Sequence, residues 1–203
     1  MTEASKSTKD IIFDTAIEMF SEKGYENISM RDLAKAVGIQ ASSIYNHYGR
    51  KEEILDAIFQ FYEENMYMNR ISFEDAKKIV KTGTAQDIAA IFLSSRFGTE
   101  LMGRRMMLGT KIIYARMFSD EKAKHIFRKQ NYTSMQFTKD VIDYGIEIGR
   151  IAPFDTEIYA YSYVAQFVMI GLEEFTKGSY TAHESERGPA IARYMADALP
   201  MLG

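Results

Sequence analysis

Apolar residues recur along this chain every three or four positions, the period of amphipathic helices, and no stretch alternates apolar and polar residues long enough to make a strand. Ser7 followed by Asp10 opens a first helix that buries Ile12, Phe13, Ala16 and Phe20 and ends at Gly24. Ser29 with Asp32 forms a second capping box, after which Met30, Leu33, Ala34 and Val37 share one face. Gly38 supplies the left-handed residue that stops this helix after about two turns, and Ile39 turns back into the core. A short helix follows from Gln40 or Ala41 to Tyr48, with Ile44 and Tyr48 inward and Ala41, Ser42, Tyr45 and Asn46 outward. A longer helix runs from Lys51 towards Met68.

Further along, Ser72 with Asp75 and Thr84 with Asp87 start two more helices separated by Gly83. A Met-rich helix is expected from about Gly98 to Phe118, and Ser119 is read as the N-cap of another that is kinked or interrupted near Asn131 to Thr133. Arg150 to Asp155 makes a turn around Pro153, Asp155 caps a helix reaching Lys177, and a last helix spans Glu186 to Leu199. The segment from Thr156 to Lys177 is apolar nearly all round, so it must be covered on several sides, either as a central core helix or with one face on its own domain and another on a second subunit. Gly145 and Gly149, four apart, allow the preceding helix to approach a neighbour closely. The expected fold is all-α.

Composition narrows the class. Hydrophobic residues make up 46% and charged residues 26% of the 203, which is globular material with enough apolar surface for a core. The absence of cysteine excludes disulfides and thiolate metal sites, nothing resembles a signal peptide, and no apolar run approaches the ~18 residues of a membrane span. A cytoplasmic protein with no membrane partner is expected. The net charge of −3 argues mildly against nonspecific affinity for nucleic acid, but residues 1–51 balance seven cations against seven anions, so local placement matters more. Arg31, Lys35, Arg50 and Lys51 are expected on a DNA side, with Asp10, Asp14, Glu18 and Glu22 on the first helix.

The segment from Ser29 to Lys51 has the form of a DNA-reading unit. Short side chains near a helix start let backbone approach a groove floor, and Asn or Gln can pair with base edges. Ser43, Tyr45 and His47 suit phosphate oxygens, and Lys51 at the next helix start combines a cation with free N–H groups. Helical hairpins with a Gly turn also occur in proteins that never meet DNA, so the residue identities carry the distinction. Those identities are Thr8, Ile12, Ala16, Phe20, Gly24 and Tyr25, then Ser29, Arg31-Asp32-Leu33-Ala34, Gly38-Ile39, Ile44-Tyr45-Asn46-His47-Tyr48 and Lys51-Glu52-Glu53-Ile54-Leu55. This run, about the first quarter of the chain, resembles the DNA-binding domain of the TetR family of bacterial transcriptional repressors. Gln40 stands where that family commonly has a Ser cap, and Ser42 where it often has Gly.

The resemblance implies a helix-turn-helix DNA-binding domain over residues 1–51 and a larger helical effector-binding and dimerisation domain over 52–203. It implies a homodimer that binds an inverted-repeat operator as a repressor and is released by a small hydrophobic or aromatic effector. The candidate DNA contacts are Ser29, Arg31, Gln40, Ala41, Ser42, Ser43, Tyr45, Asn46, His47 and Lys51. The two helices matching the family's dimer bundle supply Ile142, Gly145, Ile146, Gly149, Phe167, Ile170, Gly171 and Glu174. Candidate effector contacts are Phe92, Met102, Met106, Tyr114, Phe118, Phe127, Asn131, Met135, Tyr163 and Gln166, with Arg96, Arg104 and Arg105 as further polar groups; at helical spacing the apolar ones fit plain core as well, and the arginines fit solvated faces or dimer-interface pairs. No catalytic constellation, metal set or cofactor motif is expected: His47, His125 and His183 are scattered, and Ser119-Asp120-Glu121-Lys122 is read as a helix start. The alternative is a helical ligand-binding or scaffolding protein whose hairpin contacts protein.

Overall fold

The computed structural model describes residues 6–68, 70–94, 100–177 and 187–202. Its elements are helical: α1 Thr8–Lys23, a 3₁₀ turn Tyr25–Asn27, α2 Met30–Val37, α3 Ala41–Tyr45, α4 Lys51–Asn65, α5 Phe73–Thr82, α6 Ala85–Ser94, α7 Glu100–Arg116, α8 Glu121–Glu147, α9 Thr156–Lys177 and α10 Arg187–Asp197. A single bridge between Ile151 and Met201 is the β pairing among the described residues. No described helix is long and apolar enough to cross a membrane.

Four starts form as their spacing predicts. Ser7 and Asp10, and Ser29 and Asp32, bond reciprocally as capping boxes. The Ser72 hydroxyl accepts from the Asp75 amide, and Thr84 and Asp87 again bond in both directions. Each carboxylate that accepts in this way is held below the usual range by its Ser or Thr partner, Asp75 by Lys78 first and Ser72 next.

Two expectations are corrected in α8. The helix runs without interruption through Asn131–Thr133, because the β-branched and polar residues there sit inside 27 residues of continuous helix. Its N-cap is Asp120 rather than Ser119: the Asp120 carboxylate accepts from the amides of Lys122 and Ala123 at 2.9 and 3.1 Å, whereas the Ser119 hydroxyl donates to the Arg116 carbonyl. The expected starts of α7 at Gly98 and of α10 at Glu186 lie outside the described residues.

The chain forms two compact units. One comprises residues up to Met66 together with Leu101–Phe127, so α7 and the first turns of α8 pack with the four N-terminal helices. Its core includes Ile12, Ile17, Leu33, Ile44, Ile54, Ile58, Tyr62 and Ile113, all essentially inaccessible. At Gly109 a Cβ would meet the Tyr62 ring at 3.0 Å, and the neighbouring Thr110 hydroxyl donates to the Tyr62 hydroxyl at 3.1 Å, so α7 lies directly on α4. The other unit comprises Tyr67–Glu100 and Arg128–Gly203. Its core joins Val80, Ile88 and Phe92 to Val141, Ile142, Tyr159, Tyr163 and Phe167. The grouping of 101–127 with the N-terminal helices differs from a division of the chain at residue 51.

Candidate nucleic-acid interface

The helix-turn-helix segment is assembled by burial on one side and by backbone termination on the other. Met30, Leu33 and Ala34 are buried, while Arg31 and Lys35 lie on the exposed side of α2. Gly38 adopts φ 78°, ψ 28°, a left-handed conformation that costs a side-chain-bearing residue strain, and the Ile39 amide returns to the Ala34 carbonyl at 3.0 Å. The chain then leaves Gln40 extended and enters α3.

α3 is shorter than its sequence pattern predicts. It closes at Tyr45, and the amides of Asn46, His47 and Tyr48 continue as a tight turn onto the carbonyls of Ser43 and Ile44. Gln40 makes no side-chain cap, and Gly49 and the extended Arg50 follow immediately, so neither end supports further turns. Ile44 is fully buried and Tyr48 nearly so, which fixes the rotation of the helix. Ser42, Asn46 and His47 are consequently exposed, Tyr45 is 51% exposed, and Ala41 and Ser43 are half-buried. These outward groups form one contiguous polar and aromatic patch at the helix and its C-terminal turn.

Other candidate contacts have different places. The Ser29 hydroxyl is engaged with Asp32 in the α2 cap. Lys51 is turned inward: its ammonium donates to the carbonyls of Tyr25 and Ile28, both at 2.9 Å, and lies 4.0 Å from the Tyr25 ring centroid. The start of α4 is occupied as well, since Glu53 accepts from the Gly49 amide at 2.9 Å and pairs with Arg50 at 3.6 Å. Arg50, with its side chain largely exposed, is the outward cation at this corner, whereas sequence spacing alone favours Lys51.

Two acids of α1, Asp14 and Glu18, are matched by arginines of α7. Asp14 pairs with Arg105 at 2.6 Å and with Lys6 at 2.8 Å, and Glu18 pairs with Arg104 at 3.1 Å. Arg116 donates to Glu26 at 2.8 Å and lies 4.5 Å from the Tyr25 ring, so Tyr25 is flanked by two cations. Burial pushes the Tyr25 hydroxyl up to about 12, with the Glu52 carboxylate adding to the effect. This network joins residues about ninety positions apart, and no local sequence signal announces it.

The candidate effector residues divide between the units. Met102 and Met106 are half-buried in the first unit, Tyr114 meets Phe127 edge to face at 5.3 Å, and Phe118 is 86% exposed. In the second, Phe92 and Tyr163 are buried against each other at 5.3 Å, Asn131 and Met135 are half-buried, and the Gln166 amide donates to the Ser162 carbonyl at 3.3 Å. Arg104 and Arg105 serve the α1 pairs, and Arg96 lies outside the described residues.

The candidate dimer residues are largely used within the second unit. Ile142, Phe167 and Ile170 belong to its core, Ile146 is half-buried against it, and Gly171 is half-buried. Glu174 is buried and pairs with Lys177. The close approach at Gly145 is internal, since a Cβ there would stand 2.5 Å from Ile151 and 3.2 Å from Val80. Gly149 has φ +70° with open space around it and terminates α8.

Comparison with known proteins converges on the same segment. A family described as bacterial regulatory proteins, tetR family, matches residues 12–58. The negative transcriptional regulator IcaR of the biofilm operon icaADBC from Staphylococcus epidermidis is 52% identical over 46 residues, covering 23% of this chain and 25% of that protein. IcaR of Staphylococcus aureus is 46% identical over 48 residues, covering 24% and 26%. The chain thus matches about a quarter of the length of these curated relatives. The ketosteroid transcriptional regulator KstR2 of Mycobacterium tuberculosis superposes over 98% of both chains with a TM-score of 0.69 at 19% identity. A transcriptional regulator from Saccharomonospora viridis, solved with choline, superposes over 93% of both with a TM-score of 0.63 at 16% identity. At these identities the structural likeness establishes the shared fold. The helix-turn-helix segment of residues 12–58 thus matches the tetR family of bacterial regulatory proteins, and the rest of the chain shares the fold of solved transcriptional regulators.

Proposed function

We propose that this protein is a transcriptional repressor that binds an inverted-repeat operator as a homodimer and releases it when a small hydrophobic or aromatic effector occupies its helical part. The observation that carries the reading is the outward patch of Ser42, Tyr45, Asn46 and His47 on a helix locked by buried Ile44 and Tyr48. Asn46 supplies a base-edge donor and acceptor, while Tyr45, His47, Arg31 and Arg50 supply phosphate contacts. Asp14 and Glu18 of α1, paired with Arg105 and Arg104, are neutralised locally, so these two acids add little repulsion of their own towards a duplex.

A helix this short reads few base pairs, so specificity requires two copies about 34–36 Å apart, or near a multiple of that. The face we assign to the partner copy is the apolar stripe on α9 formed by Ile158, Tyr161, Met169 and Leu172, each between 41% and 60% exposed. With exposed Ala165 these residues recur at three- and four-residue intervals, the spacing of a helix-helix seam. Effector release then needs only a ligand that prefers the form with wrongly spaced reading helices.

The test is selection of duplexes from a random library at several salt concentrations, with a Tyr45→Ala/Asn46→Ala control. Enrichment of an inverted repeat that the control loses supports the reading. No enrichment by folded protein, at low salt as well as high, refutes it and favours a protein-binding role for the hairpin.

A further inference from the structure

Arg70 is held differently from the acid-paired lysines of the second unit. Its guanidinium carbon lies 4.7 Å from the Tyr67 ring centroid and 4.5 Å from that of Phe137, so the group rests over two aromatic rings. Rings satisfy the face of a guanidinium but not its N–H donors, which lie in its plane and call for oxygen acceptors. The Nη1 nitrogen is buried without a hydrogen-bond partner, and among the described residues no carboxylate pairs with Arg70. By contrast, Lys77, Lys78, Lys139 and Lys177 of the same unit each hold an acid. Arg70 as a residue is half-buried, but a buried guanidinium nitrogen with an unused donor is costly to keep in a fold unless something supplies the missing acceptor.

The surroundings define what that something is. Phe137 meets Phe92 edge to face at 6.4 Å, Phe92 meets Tyr163 at 5.3 Å, and Tyr163 meets Phe167 at 4.7 Å, so a row of rings leads away from Arg70 into the core of the unit. One guanidinium balances one negative charge, and its forked N–H groups match the two oxygens of a carboxylate. We propose that Arg70 receives the carboxylate of a small apolar monocarboxylic acid whose hydrocarbon or aryl portion lies against Phe137 and its neighbouring rings. This deepens the effector reading above and rests on it: the effector is an acid, and Arg70 orients it.

The experiment is calorimetric titration of the full chain with phenylacetate and octanoate, each compared with its neutral amide, alongside thermal unfolding of the wild type and Arg70→Met. At least one acid is expected to bind saturably where its amide does not. Arg70→Met is expected to weaken that binding about tenfold or more, the loss of one charge-assisted bond. Its unfolding midpoint without ligand is expected to change little, because loss of the two ring contacts is offset by removal of a buried unpaired donor and no ion pair is lost. Arg70→Lys, which keeps the charge but not the fork, is expected to recover binding only partly. The proposal is overturned if neither acid binds wild-type protein saturably, if acid and amide bind alike, or if Arg70→Met lowers the midpoint and leaves acid binding intact. Duplex selection is read separately, so loss of DNA binding would refute the repressor reading without altering the titration.

Discussion

Replacing Lys51 by Ala separates a structural cation from a DNA-contacting one. In the folded unit the ammonium donates to two carbonyls at 2.9 Å and sits over the Tyr25 ring, joining the α1–α2 connection to the start of α4. Hydrogen bonds to a charged group are each worth about 1.5–3 kcal/mol, and a cation over a ring about 0.5–2 kcal/mol. Lys51 is half-buried, so water replaces part of each interaction in the variant, and the net loss is about 2–3 kcal/mol. For a chain of this length that corresponds to a fall in Tm of roughly 4–12 °C. A phosphate-contacting lysine would instead contribute about 0.9 to the slope of log affinity against log salt. Lys51→Ala is therefore expected to lower the urea and thermal midpoints while leaving that slope unchanged, measured on a selected duplex well below the variant's midpoint. An unchanged midpoint with a slope reduced by about one unit would refute the argument and return Lys51 to the interface.

Other outcomes follow from the same geometry. Asn46→Ala should cost roughly 1–3 kcal/mol at particular base pairs and little at others, read by competition among single-substituted operators; a uniform loss would remove it as a base reader. Ile44→Ala, at a fully buried position beneath α3, should destabilise the protein by about 2–5 kcal/mol in urea denaturation. Asp32 is held below the usual carboxylate range by its bonds to Ser29, so the unfolded chain binds protons more readily. Its contribution to stability is present above the unfolded pKa and fades as pH falls through the folded one; Asp32→Asn should flatten that acid limb in unfolding curves taken across the carboxylate range. Tyr161→Glu/Met169→Glu should convert a dimer into a folded monomer in sedimentation equilibrium, since both side chains are already exposed in the single chain and their loss leaves its core intact.

The cation–ring arrangement at Tyr25 also bears on how α2 and α3 are held. Lys51 approaches Tyr25 from α4 and Arg116 from the end of α7, and Arg116 further engages Glu26 and Asp120. The connection between α1 and α2 is thus braced by residues that sequence spacing would assign to two different domains. The Tyr62–Thr110 bond and the seat for Tyr62 at Gly109 make the same link further along α4.

What the sequence by itself determined are features whose partners lie within one turn of helix. The reciprocal bonds of Ser7 with Asp10, Ser29 with Asp32 and Thr84 with Asp87 need only an i, i+3 spacing, and Gly38 needs only its missing Cβ. Ile44 and Tyr48, four apart, likewise set which side of α3 is exposed before any neighbour is known. The tertiary structure alone decided the inward turn of Lys51, the pairing of Arg104 and Arg105 with α1, and the placement of Arg70 over the Tyr67 and Phe137 rings. It also decided which side of α9 is core: with apolar residues nearly all round, Phe167 and Ile170 could face either way until α6, α8 and α10 took one side and left Tyr161 and Met169 on the other. Local hydrogen-bond geometry repeats with the helix and is written in consecutive residues, whereas the destination of a long side chain depends on what distant segments bring within reach of it.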